Sequence, residues 1–354
     1  MFAVKFENVR IESYAFNRPP HQVTTEEIED RLSGMYKKFK VPMGTLKKLS
    51  GINTRGFFDN PTRPSQIAIK AAREALEKSG ISKDDIGAVF NCSVTRDYFE
   101  PSMGILVHQE LGLDESVMAM DITNACIGFS NGLILMANLI ETGVIKAGIL
   151  TSGENMAPIT DRTFRKIEEE SDKISRDDFV KMLPTFTLGS GGVAMVLCHK
   201  DLATQNHRLL GSVSRSAAQF ADLCVGNGDF CFMDIENLDP LMETDSKKLI
   251  SSACKLGARI WPEFSKFIDW SADEVDHIIC HQVGKQVNEE FYKTQGLSYL
   301  KEHTVYQDYG NLVSAAMPSA LIASAEAGKF MTGDKVLLTA YGSGLNSIFT
   351  GIVW

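Results

Sequence analysis

The stretch MAMDITNACIGFSNG, Met118 to Gly132, is where the pattern of the chain changes. Val117 to Ile122 is an apolar run that reads as a buried strand. From about Ile127 onward, Phe129, Leu133, Met136, Ala137 and Ile140 recur on one helical stripe. A strand followed at once by a helix is the building unit of an α/β fold. Cys126 falls at the turn between the two. At a helix N-terminus, unpaired backbone N–H groups and the helix dipole favour thiolate over thiol, which predicts a nucleophile there. A cysteine so placed more often simply packs. Ala125, Gly128 and Gly132 are small enough to let a substrate or a second helix approach closely.

The chain has 354 residues, enough for two domains or one large one with a sizeable core. Its 44% hydrophobic and 23% charged residues are those of a globular protein. A net charge of −9 argues against nucleic acid and anionic membranes as partners. Seven cysteines are scattered without a CxxC pair or a Cys/His cluster at metal-ligand spacing. Free thiols of a reducing cytoplasm, and no metal, are therefore expected. No apolar stretch approaches the roughly 18 residues of a membrane span. Lys5, Glu7 and Arg10 interrupt the N-terminus before it could form a signal-peptide core.

Strand-like and helix-like patterns alternate along the chain. Val4 to Ala15 reads as one strand, Thr25 to Phe39 as a capped helix, and Leu46 to Phe58 as a turn-rich link. Ser65 to Ser79 is an amphipathic helix, Ile86 to Cys92 an apolar strand, and Gly148 to Ser152 another, ending in GEN. The second half repeats this order. Val275 to Cys280 matches Ile86 to Asn91 at an offset of 189, and Val336 to Thr339 matches Gly148 to Thr151 at an offset of 188. Two matches at nearly one domain-sized offset imply a duplication. The expectation is two α/β halves, residues 1–200 and 201–354, about a pseudo-twofold axis, their sheets buried on both faces. Residues 155–183, charged and helix-prone, read as an insertion over the surface.

The duplication gives three positions a common logic. His281 ends the second-half strand IIC, and Asn311 precedes a small-residue run just before the helix that corresponds to the one after Cys126. Equivalent strand ends in two related halves would point Cys126, His281 and Asn311 into one crevice. Such a trio suits covalent acyl chemistry, with Cys126 attacking a thioester and His281 and Asn311 donating to a developing oxyanion. Taken singly, a strand-end histidine is more often structural and an Asn after Gly is usually a turn residue.

NAC-x-GF from Asn124 to Phe129, His281-Gln282, GN-x-x-x-A-x-x-P from Gly310 to Pro318 and GSGLN from Gly342 to Asn346 resemble the ketoacyl synthase III group of the thiolase superfamily. The resemblance covers essentially the whole chain. It implies a five-layered αβαβα homodimer with Cys126 as the acylated nucleophile and His281 and Asn311 activating the second substrate. It also implies an oxyanion hole formed by the backbone N–H groups of Cys126 and Ser343.

Two departures separate this chain from the decarboxylative members. Val283-Gly284 follow His281-Gln282 where Ala-Asn is usual, and the loop Ser93 to Ser102 is similar to that of the OleA branch, the long-chain acyl-CoA condensing enzymes of olefin biosynthesis. That resemblance implies that Glu100, before Pro101-Ser102, reaches the partner subunit's site as a base. Condensation without decarboxylation must remove an α-proton, and a positioned carboxylate supplies what the chemistry otherwise lacks. A lone Glu is more often a solvated loop residue. The expected activity is an acyltransferase joining two acyl-CoA molecules, with coenzyme A thioesters as substrates and no other cofactor. The alternatives are a decarboxylative synthase using malonyl groups on acyl carrier protein, a thioesterase-like hydrolase, and an acyl-binding homologue without activity.

Overall fold

Val89 lies opposite Ile149 in a parallel strand pair, and Ile278 lies opposite Leu337 in another. The offsets between these pairs are those of the repeated sequence segments, so the duplication extends to strand register. The computed structural model describes residues 2–226 and 242–354. The first half begins with β1 (Phe2–Lys5), β2 (Val9–Asn17), β3 (His21–Thr24), α1 (Thr25–Arg31), α2 (Ser33–Phe39), α3 (Thr45–Ser50) and β4 (Thr54–Phe57). It continues through α4 (Pro64–Ser79), β5 (Ile86–Asn91), α5 (Met103–Leu111), β6 (Met118–Asp121), α6 (Gly128–Glu141), β7 (Ala147–Glu154), α7 (Ala157–Glu170), α8 (Arg176–Met182) and β8 (Gly191–His199). Then come β9 (His207–Ser216), β10 (Cys224–Gly226), β11 (Met242–Thr244), α9 (Ser246–Ile268), β12 (His277–Cys280), α10 (Lys285–Gln295), α11 (Tyr306–Tyr309), α12 (Ala316–Glu326), β13 (Lys335–Gly342) and β14 (Asn346–Val353).

The main sheet follows the order β12-β13-β14-β9-β2-β8-β7-β5-β6, with β1 beside β9. In each half two parallel strands are followed by an antiparallel one, and the halves join where β2 meets β9 at Arg10–Arg208 and Ile11–His207. Side chains alternate faces along a strand, and this sorts the core into layers. Phe90, Leu150, Ile279 and Leu338 turn inward and share one cluster with Phe129, Leu133 and Met136 of α6 and Met317, Leu321 and Ile322 of α12. Their neighbours Val89 and Ile149 face the alanine stripe of α4 on one outer side. Ile278 and Leu337 face Ile260, Phe264 and Phe291 of α9 and α10 on the other. The order helix, sheet, helix pair, sheet, helix is the αβαβα architecture expected. Each fully buried Leu, Ile or Phe in the central layer contributes about 1.5–3 kcal/mol. The two helices that follow Cys126 and Asn311 both lie in this central layer.

Several local expectations are corrected. The first strand is broken at Phe6–Asn8, where the chain passes from pairing with β9 to pairing with β8, and Glu141 accepts the Glu7 and Asn8 N–H groups. The helix expected over residues 25–39 is two, parted at Leu32, with Thr24 and Glu27 forming the capping box. The link over residues 46–58 contains α3 and β4. The segment read as an insertion over the surface packs on α1 and α2, where Phe164, Ile167, Phe179 and Met182 close an apolar cluster with Ile28, Leu32, Met35 and Tyr36. The strand before Cys126 was expected to be buried, yet among the described residues β6 is an edge of the sheet, with Met118 46% and Met120 38% exposed. Among the described residues, no helix is long and apolar enough to cross a membrane.

Candidate active site

The loop bearing Cys126 is pressed against the end of β5. The Ile122 N–H donates to the Asn91 carbonyl at 2.8 Å, and α6 starts at Gly128, where a Cβ would stand 2.6 Å from the Cys92 carbonyl oxygen. Only glycine lets the helix begin so close to the strand. Backbone thus fills the space beside Gly128, and the Cys92 Sγ fills that beside Gly132, so these glycines serve packing, not substrate approach. Ala125 adopts φ 45°, a left-handed conformation unusual without glycine, and this turns Cys126 out of the strand direction. Cys126 packs on Met156, Leu188 and Val313, together with Met242.

Asn311 reaches the same place from the second half. Its N–H donates to the Thr187 carbonyl at 2.8 Å and its own carbonyl accepts from Gly189 at 3.0 Å, which clamps it to the strip before β8. The Asn311 Oδ1 accepts the Val313 N–H at 3.0 Å, leaving Nδ2 as a donor. Val313 itself is strained at φ 54° and lies against Cys126. A Cβ on Gly310 would meet the Thr187 carbonyl at 2.8 Å, and buried Arg55 lies on its other side. Ser343 follows β13. Its carbonyl accepts from Asn346 Nδ2 at 3.1 Å, and the same amide reaches Asn124 Oδ1 at 3.4 Å, joining the Ser343 and Cys126 loops. Gly342 lies under Ile127, where a Cβ would be 3.0 Å from the isoleucine side chain.

His281 ends β12, with its N–H donated to the Thr339 carbonyl at 2.9 Å, and its ring is buried. Gln282 is a strut, bridging the Cys280 carbonyl and the Val305 N–H. Glu100 is exposed, and its carboxylate makes no hydrogen bond among the described residues. The loop also exposes Tyr98 and Phe99, beside the bare edge of β6.

The electrostatics overturn the expected thiolate. Burial, then Cys224 and the negative Glu154, push the Cys126 thiol up to about 12, and a backbone hydrogen bond opposes this only in part. Cys126 also lies outside the first turn of the helix, ahead of the Ile127 cap. Burial alone takes His281 down to about 4. The resting pair is therefore a thiol and a neutral imidazole. The His281 Nδ1 is buried without a partner among the described residues, and since an orphaned N–H is harder to tolerate than an orphaned lone pair, the proton belongs on Nε2.

Reading the sequence missed Glu154. It ends β7 with no exposed surface, and its carboxylate accepts the Val94 N–H at 2.8 Å, the Thr95 N–H at 3.0 Å, the Thr95 hydroxyl at 2.8 Å and the Ser314 hydroxyl at 2.5 Å. Burial raises its pKa, and these donors oppose the rise. The only sequence signal was an acidic residue directly after an apolar strand. Cys224, the thiol beside Cys126, carried none.

A duplicated αβαβα fold with cysteine and asparagine before the two central helices and histidine at the end of β12 defines the class: a thiolase-superfamily condensing enzyme; Asn311, expected at a strand end, instead follows the short helix α11 and only bridges to Leu188. Residues 120–218 match the family described as 3-oxoacyl-(acyl-carrier-protein) synthase III, and residues 266–353 match its C-terminal part. Acyl-CoA:acyl-CoA alkyltransferase of Xanthomonas campestris pv. campestris is 32% identical over 349 residues, 99% of each chain. The enzyme of the same name from Shewanella oneidensis is 33% identical, covering 99% of this chain and 100% of that one. A β-ketoacyl-(acyl-carrier-protein) synthase III of Clostridium tetani is 25% identical over 99% of this chain. The cerulenin-bound crystal structure of Xanthomonas OleA superposes with a TM-score of 0.93 at 32% identity, covering 99% of this chain and 98% of that chain. Solved structures of that enzyme also include variants at a cysteine, a glutamate and a histidine. The chain belongs to the OleA family of acyl-CoA:acyl-CoA alkyltransferases.

Proposed function

We propose that this chain joins two fatty acyl-CoA molecules by a Claisen condensation without decarboxylation, and works as a homodimer. In the first half-reaction Cys126 Sγ attacks the acyl-CoA carbonyl, with the oxyanion held by the backbone N–H groups of Cys126 and Ser343, and coenzyme A leaves as its thiol. In the second, a base takes an α-proton from another acyl-CoA. The carbanion attacks the acyl-Cys126 carbonyl, the cysteine thiol leaves, and a β-ketoacyl-CoA is formed that water can hydrolyse to a β-keto acid. His281 Nε2–H and Asn311 Nδ2 donate to the enolate oxygen. These steps need only thioesters and side chains, and no redox or metal cofactor.

The single observation behind this reading is an available carboxylate, which a decarboxylative synthase would not need. Glu100 is exposed and makes no hydrogen bond among the described residues, while His281, held near pKa 4, is too weak a base to take the α-proton. The free edge of β6, with Met118 and Met120 bare and the Tyr98–Glu100 loop beside it, is the surface a second copy would cover, bringing Glu100 to the partner's Cys126. The described cysteines are all free, in keeping with a cytoplasmic setting. Acyl carrier protein is the alternative carrier of the second acyl group.

Incubation with one long-chain acyl-CoA and no malonyl donor tests the reading by product mass. A β-keto product carrying both chains supports it. Product formed only with malonyl thioester would make the chain a decarboxylative synthase, and free fatty acid alone would make it a hydrolase.

A further inference from the structure

We infer that Glu154 is a positioning residue that locks the loop carrying Glu100 to the turn carrying Asn311, and so ties the two sites of a dimer together. The inference rests on the reading above, in which Glu100 serves the partner's site.

Glu154 lies where the two segments meet. Its Oε1 accepts from the Val94 N–H and the Ser314 hydroxyl, and its Oε2 accepts from the Thr95 N–H and hydroxyl. Val94 and Thr95 begin the loop that ends in Glu100, whereas Ser314 sits next to Val313, whose N–H holds the Asn311 side chain. The Ser314 hydroxyl is also bonded to Ser152 at 2.7 Å, and the Gly153 N–H donates to Ser93 Oγ at 2.8 Å, so the joint is anchored on β7. Further along, Asp97 accepts from the Ser65 N–H and hydroxyl, and Arg63 bonds the Tyr98 hydroxyl. The loop is held at its root by Glu154 and in its middle by α4, and it reaches Glu100 as a braced arm.

The chemistry of this joint requires a carboxylate. Two backbone N–H groups point at different oxygens of Glu154, and a backbone N–H cannot turn round as a hydroxyl can. Glutamine offers one acceptor oxygen, so one of the two N–H groups would face the amide NH2. Glu154→Gln therefore keeps the size of the side chain and breaks the root of the loop. Because the loop and the Asn311 turn share this carboxylate, movement of one is passed to the other. In a dimer that couples the enolate donors of one site to the base delivered to the other.

The test reads the effect in trans, on a site whose own chain is unaltered. Heterodimers of one wild-type chain and one Cys126→Ala chain keep a single nucleophile, served by Glu100 of the Cys126→Ala chain. Adding Glu154→Gln to that same chain is expected to lower condensation by about 10²-fold, the usual result of misplacing a reacting group by an ångström, while acylation of the wild-type Cys126 stays unchanged. Thr95→Val at the same place removes one donor, leaves the carboxylate buried, and is expected to act in the same direction. It carries the test if the Glu154 variant does not fold. Adding Glu100→Gln instead checks the underlying reading. If Glu100→Gln silences the heterodimer but neither Glu154→Gln nor Thr95→Val lowers condensation, the inference alone is overturned. If Glu100→Gln leaves the heterodimer active, the trans assignment of the base falls, and the inference falls with it.

Discussion

Cys126 is the place where the structure makes a quantitative demand. Its thiol is moved from an ordinary value of 9.0 to about 12, so at neutral pH its thiolate population falls by ~10³. A thiolate of higher pKa is a better nucleophile, by a Brønsted slope of about 0.45, which returns ~20-fold. The resting enzyme should therefore react with iodoacetamide ~50-fold more slowly than a free cysteine peptide near pH 7. The rate should also rise about tenfold per pH unit through pH 9 without levelling. The assay is the second-order alkylation rate of the Cys126 peptide followed by mass spectrometry from pH 6 to 10, with Cys92 and Cys280, both wholly buried, as internal controls. His281 adds nothing across this range, since its ring is neutral above about pH 4. A plateau near pH 7 would refute the reasoning, because it would mean that a stable thiolate exists despite the burial and the negative Glu154.

Three further outcomes are expected. His281→Ala and Asn311→Ala should each slow condensation by about 10²-fold, or ~3 kcal/mol of barrier, while sparing acylation; a complete block of acylation in a folded variant would show that they act earlier. Glu100→Gln should still form acyl-Cys126, seen as one acyl mass on that peptide, yet lose condensation by roughly 10² to 10⁴. Unchanged condensation would remove the main reason for preferring acyl-CoA pairs over a malonyl donor. Gly128→Ala, whose Cβ would lie 2.6 Å from the Cys92 carbonyl oxygen, should cost about 1–3 kcal/mol in denaturant unfolding, and an unchanged midpoint would mean that the loop yields freely.

The architecture was legible in the sequence to an unusual degree because its signals are local and repeated. Apolar runs at two matching offsets announced two related halves, and the same offsets reappear in the register of Val89 with Ile149 and Ile278 with Leu337. The positions of Cys126 and Asn311 before helices and of His281 after a strand follow from periodicity, a property of neighbouring residues, whereas the strand expected before Asn311 is replaced by the short helix α11. Other features depend on contacts between distant parts of the chain, which no local pattern encodes. That β6 is a free edge depends on the order in which strands assemble, because the same four residues would be buried inside the sheet. The charge state of Cys126 depends on Met156, Leu188, Val313 and Glu154, brought to it from far along the chain. Glu154 was one acidic residue after a strand until folding set Val94, Thr95 and Ser314 around it. The sequence by itself determined which residues stand before the helices and after the strand. Only the tertiary structure decided what surrounds them, because burial and electrostatic environment are properties of the packed whole.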